Sequence, residues 1–281
     1  MPNICTHLIF GARVAEATQK SFASSDGMYA LGCLGPDWYF YDRLPPTPFI
    51  PHQKKHGNAL HQLDCFQLFS ALRDAADPSL RPYLYGFLTH IALDSTLHPY
   101  VESSHRGGAH ARFEGVIDSI VFRQNRDRFP FYKVFRQKTD PRAIDALLTE
   151  VSQQLLEKNV SGAYTRGVRK FRRISRLMYD PKSRRYRFLR GIEKRFRRPG
   201  LVSDFLIGPD HEDADDCMNL SRKSWTSPFD PSLTRDLSVP MLIGEAESLA
   251  IALFQAFDAN DDETLSRLLR GRTMQKGVLP C

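Results

Sequence analysis

The sequence predicts an all-α protein built as one large helical domain. Apolar residues recur at helical spacing through most of its 281 residues. No long alternating apolar run of strand type occurs. Histidine and carboxylate residues repeat at steps of four, the step that stacks side chains on one helical face. With 42% apolar or aromatic residues the chain can bury a real core. No Gly/Ser- or Pro-rich linker divides it, so one domain over 1–270 is expected, with 271–281 as a frayed tail.

The first stretch, to about residue 31, reads as a helix carrying Leu8, Ile9, Val14 and Ala15 before a polar run. Thr6 stands where an N-cap would, just before His7. Residues 32–51 hold two glycines and five prolines and read as a loop. Within it Gly35-Pro36-Asp37 fixes a turn that aims Asp37. The following run, Trp38 to Tyr41, is either core or the wall of a substrate cleft. His61 opens a helical pattern through Leu63, Phe66, Leu68, Phe69 and Leu72. His52 reads as solvated, whereas His56 and His61, five residues apart, would not share a helical face.

Asp77-Pro78 breaks the chain, and a central helix is expected from about Leu80. It carries His90, Asp94 and His98, which fall within an arc of about 80°. Pro99 marks the end of this helix or a kink, freeing His98 to swing away from Asp94. A loop from Glu102 to Ala109, with a solvated His105, then precedes a second helix presenting His110 and Glu114. Apolar residues flank both groups, and a carboxylate held there is costly unless paired or metal-bound. Five potential N/O ligands in two groups suit a site for more than one metal ion, and zinc favours these ligand types.

Residues 140–159 form an amphipathic, core-facing helix. Residues 166–198 are the most basic stretch, with Asp180 and Glu193 opposing fifteen Lys and Arg. The pattern reads as helix, a break at Asp180-Pro181, then helix. It is either a packed pair with a solvated basic face or a surface for anionic membrane or nucleic-acid backbone. Residues 208–240 read as irregular, and the last helix is expected over about Met241 to Phe257.

The net charge of +7 favours anionic partners without choosing among them. Five dispersed cysteines, Cys5, Cys33, Cys65, Cys217 and Cys281, lack any C-x2-C pair and read as reduced, buried thiols. No uncharged apolar stretch approaches the length of a membrane span, and the N-terminus lacks secretory character, so a cytoplasmic protein is expected. Neither a phosphate-binding Gly-x4-Gly-Lys loop nor a Gly-x-Ser-x-Gly elbow is present.

His-x3-Asp, a nearby His, then His-x3-Glu resembles the core of the zinc-dependent phospholipase C family, whose scaffold the single-strand-specific fungal nucleases share. The resemblance extends to THLIFG (6–11), GCLGPDWYFY (32–41) and HGNALH (56–61), and faintly to NLSRKSW (219–225) with Pro228. It implies two or three zinc ions in the helix core. Asp37, His61, His90 and Asp94 would hold one, and His98, His110 and Glu114 another. His7, with Asp94 bridging, would hold a third, completed by the amine of Pro2 if Met1 is trimmed. His61 is chosen over His56 on this resemblance. The implied activity is hydrolysis of a phospholipid or other phosphodiester, with Asp37 as a candidate general base. The competing classes are a nuclease or phosphomonoesterase, with Trp38, Tyr39 and Tyr41 as a base-stacking pocket, and a non-catalytic metal-binding protein.

Overall fold

The computed structural model describes residues 4–20, 27–42, 54–104, 108–127, 139–197, 202–203, 206–211 and 216–278. Among them the regular structure is almost wholly helical. The helices are α1 (Ile4–Ala17), α2 (Gly27–Cys33), α3 (Trp38–Tyr41), α4 (Lys54–Gln62), α5 (Cys65–Ala75) and α6 (Arg81–Ser104). There follow α7 (Gly108–Asn125), α8 (Arg142–Leu156), α9 (Ala163–Met178), α10 (Arg184–Arg195), α11 (Val239–Asp258) and α12 (Asp262–Leu269). Two antiparallel pairs of two-residue strands complete it: β1 (Trp225–Thr226) with β2 (Thr234–Arg235), and β3 (Arg272–Thr273) with β4 (Gly277–Val278).

Helix α6 is the axis of the fold. Tyr83, Phe87, Leu88, Ile91, Leu93, Leu97 and Val101 are fully buried and point to every side, as expected of a helix surrounded by others. α1, α2 and α11 pack along it. The crossing of α2 over α6 is unusually close. A Cβ on Gly32 would lie 2.2 Å from the Tyr83 carbonyl oxygen, and one on Gly86 would lie 2.2 Å from that of Tyr29. Only a missing side chain on both helices permits this approach. It sets the 3-10 turn Gly35–Asp37 directly over the His90 turn of α6. Gly35 has φ +45°, and a Cβ there would strike the His90 ring at 2.5 Å.

Several expectations change. Helix α1 begins at Ile4, so Thr6 is inside it rather than capping it. Its backbone N–H and its hydroxyl both donate to Asp118 Oδ1 of α7, at 2.7 and 2.9 Å. A first-turn donor with no helical partner is thus satisfied from another helix. Residues 35–41 of the expected loop are helical, and the proline-rich remainder at 43–53 lies outside the described residues. Helix α6 runs through Pro99 without ending there. Proline cannot donate to the Ser95 carbonyl, and Gly277 of the C-terminal hairpin packs over that carbonyl and the Pro99 ring. The expected Glu102–Ala109 loop is reduced accordingly, with His105 outside the described residues.

The last helix is α12, one beyond the expected end. Residues 271–278 are a hairpin rather than a frayed tail. Asp64, which caps α5 through Phe66 N and Gln67 N, also accepts from Gly271 N at 2.6 Å. Arg272 donates to the Ser95 hydroxyl at 3.0 Å, and Met274 is fully buried. Contrary to the hydropathy expectation, α11 has the length and apolar content of a membrane span. It lies along α6 and α12, and its Glu245, Glu247 and Asp258 pair with Arg235, Arg13 and Lys20 at 2.5–2.6 Å. Those contacts are those of a core helix. Cys5, Cys33, Cys65 and Cys217 are buried free thiols, and Cys281 lies outside the described residues.

Candidate metal centre

Five elements converge beside the middle of α6. α1 brings His7, the 3-10 turn brings Asp37, and the last turn of α4 brings His61. α6 itself supplies His90, Asp94 and His98, and α7 supplies Glu114. All seven side chains are at most about 5% exposed. Asp94 is the hub. Its Oδ1 is 3.1 Å from His7 Nε2, and its Oδ2 is 3.4 Å from both His61 Nε2 and His90 Nε2. His61 Nε2 also lies 3.1 Å from Asp37 Oδ1, and His7 Nε2 is 4.0 Å from Asp37 Oδ2. One ligand atom each from Asp37, His61, His90 and Asp94 fits within 4.8 Å of the others. His98 lies between two carboxylates, with Nδ1 3.8 Å from Asp94 and Nε2 3.5 Å from Glu114.

The ring orientations are fixed from behind. His61 Nδ1 lies 2.7 Å from the Gly57 carbonyl, His90 Nδ1 3.3 Å from that of Cys33, and His98 Nδ1 2.8 Å from that of Met274. A carbonyl can only accept, so in each case Nδ1 carries a proton, and in the neutral ring Nε2 is left as a lone pair. For His61 and His90 that lone pair faces the cluster. Metal-ligating histidines are held in this way. Both ring nitrogens of His7, Nε2 of His61 and His90, Oδ1 of Asp37 and both Asp94 oxygens are buried without a hydrogen-bond partner. At about 1–3 kcal/mol each, seven such atoms would cost about as much as a whole domain's stability. A cation among them removes that cost, and the imidazole and carboxylate donor set is one that zinc accepts.

Without a cation the cluster's charges are arranged by burial and by each other. Burial pushes His61 down, but the carboxylates of Asp37 and Asp94 outweigh it and carry its pKa up to about 9. Burial pushes His90 down to about 4, with Asp94 and Asp37 only partly offsetting it. Burial raises Asp94, yet His98, His90 and His7 overcome it and hold it well below the usual carboxylate range.

The structure brings together His7, Asp37, His61, His90, Asp94, His98 and Glu114. His110 is on α7 one turn before Glu114, but its side chain is outside the described residues, as are Pro2 and His52. His56 points elsewhere. Its Nε2 lies 3.0 Å from the Ser152 hydroxyl, its ring meets Tyr39 edge-on, and burial pushes its pKa down to about 4. His98 reaches Glu114 from within α6, which continues through Pro99. Trp38 and Tyr39 are core, 1% exposed, and the Trp38 indole N–H donates to the Leu31 carbonyl. They therefore do not form the stacking pocket expected of a nuclease. Sequence reasoning missed Asp118, which anchors the turn carrying His7. Its position four residues after Glu114, the same step used by the ligands, was the available signal.

The fold is that of a helical protein whose core holds a buried imidazole and carboxylate cluster with the donor set for a metal ion. The chain belongs to the zinc dependent phospholipase C family, whose model matches residues 6–161 and so covers every described cluster residue. No curated protein and no solved structure matches the chain.

Proposed function

We propose that the protein is a zinc-dependent hydrolase of phosphoric esters, with a phospholipid phosphodiester as substrate. The observation that carries this reading is the set of buried, hydrogen-bond-less ligand atoms aimed at one another from His7, Asp37, His61, His90 and Asp94. Asp37, His61, His90 and Asp94 would hold one ion. His98 and Glu114, with His110 of the same α7 face, would hold another. His7 would complete a third with Asp94 shared. Bound zinc would lower the pKa of a coordinated water towards 7 and offset charge developing on phosphorus.

The chain's own residues do the rest. Asp94, reached from several imidazoles, keeps the ligands at a common centre. Asp37, on the 3-10 turn, would accept a proton from an attacking water. The carbonyls of Gly57, Cys33 and Met274 keep three imidazoles in the tautomer that leaves Nε2 to ligate.

The test is zinc content by elemental analysis of protein purified without chelator, followed by hydrolysis of phosphatidylcholine, a phosphodiester dye ester and single-stranded DNA. More than one zinc per chain and release of diacylglycerol are expected. Zinc-loaded protein that cleaves only DNA would replace the lipase reading with a nuclease. Zinc-loaded protein inert on all three would make it a non-catalytic relative.

A further inference from the structure

The basic stretch is not the packed pair with a merely solvated polar face that one of its two sequence readings describes. α9 turns Val168 and Phe171 fully into the core. α10 is inverted. Its inward face is Tyr186, Arg190 and Glu193, all buried, while Phe188 and Ile192 of α10 and Phe196 just beyond it face outward at 69, 41 and 74% exposure. These three stand four residues apart, so they form one stripe along the helix. Leu177, at the end of α9, is a further large apolar side chain left 67% exposed.

The two acids of the stretch do not neutralise this surface. Glu193 accepts from Val202 N at 2.6 Å and from Ser203 N and Oγ at 2.9 and 2.6 Å. Asp180 accepts from Arg184 N and Tyr186 N at 3.2 and 2.8 Å, at the start of α10. Arg184, Arg187 and Arg195 stand exposed beside the apolar stripe.

We infer that α10 is a docking face for an anionic lipid bilayer, with the Phe188–Ile192–Phe196 stripe seated at the acyl boundary and the arginines on the headgroups. Both halves of the surface suit this occupant. Anionic lipid supplies the opposite charge, and the interface takes up aromatic and aliphatic side chains that water does not favour. A nucleic-acid backbone would satisfy the arginines but leave Ile192 and Leu177 in water. A second copy of the chain would set one cationic rim against another. The inference does not depend on the metal centre, because no ligand of the cluster belongs to α10.

The experiment is flotation of the full-length protein with phosphatidylcholine vesicles, with and without phosphatidylserine, at about 0.1 M salt. The decisive variant is F188S/F196S, which leaves every charge in place and alters two side chains that are mostly in water. Circular dichroism and zinc content report whether it is folded. Binding to the anionic vesicles is expected for the parent protein, falling with added salt, and at least about tenfold weaker for F188S/F196S. Undiminished binding by that variant overturns the inference, since charge alone would then explain it. Binding of single-stranded DNA that is lost in F188S/F196S would overturn it in favour of nucleic acid. A dimer seen by light scattering and abolished in the same variant would overturn it in favour of self-association.

Discussion

Replacing Gly86 with alanine should damage the metal centre from a distance. The new Cβ would lie 2.2 Å from the Tyr29 carbonyl oxygen and 2.7 Å from Cys33 N, both backbone atoms that cannot rotate away. Restoring an ordinary contact of 3.4 Å requires α2 and α6 to part by about 1.2 Å. Overpacking of this kind costs about 1–3 kcal/mol. Asp37 follows α2 by four residues, so the same movement draws its carboxylate from His61 and Asp94, whereas zinc ligand distances tolerate about 0.2 Å. Two measurements check this: thermal unfolding of the metal-free protein and zinc affinity by competition with a chromophoric chelator. Gly86→Ala should lower both. Gly244→Ala, at an exposed position of α11 with nothing within 4 Å of the new Cβ, is the control and should be neutral or stabilising by up to about 1 kcal/mol. A folded Gly86→Ala protein with parental zinc affinity would refute the claim that this helix crossing positions Asp37.

Asp94→Asn should lose metal and activity together, because the shared carboxylate is the hub of the cluster; parental zinc content in that variant would remove Asp94 from the bridging role. Zinc affinity should rise by about tenfold per pH unit between about pH 6.5 and 8.5, since the His61 proton, held to a pKa of about 9, must leave before Nε2 can ligate; an affinity flat over that range would show that His61 is not a ligand. The sign for the metal-free fold is opposite. A histidine pKa raised above its unfolded value of about 6.5 stabilises fully below that pH, and the contribution fades as pH climbs through about 9, which urea melts of the parent and of His61→Gln can separate. Asp118→Ala removes the acceptor for two Thr6 donors and should cost about 1–3 kcal/mol with loss of zinc; intact zinc binding would limit Asp118 to a purely structural contact. His56→Gln should leave zinc content unchanged, and depletion there would return His56 to the ligand set.

The sequence by itself determined the helical class and which residues of the central helix share one face of the cluster. Helical spacing is a local property of the backbone. His90, Asp94 and His98 therefore share a face whatever surrounds them, and His110 with Glu114 repeats the step one helix later. The excess of arginine over acid in 166–198 was equally plain. What only the tertiary structure decided were meetings between residues far apart in the chain. His61 joins the cluster and His56 does not, because α4 turns one imidazole towards Asp37 and the other towards Ser152 of α8. Residues 271–278 are ordered because Asp64, Ser95 and His98, each distant in sequence, have donors or acceptors that the hairpin completes. Trp38 and Tyr39 left two readings open until α9 was seen to cover them, its Gly167 passing so close that a Cβ would touch the Trp38 carbonyl. The outward stripe of α10 was hidden for the same reason. Periodicity marks which residues share a face, and only the neighbouring elements decide whether that face is buried.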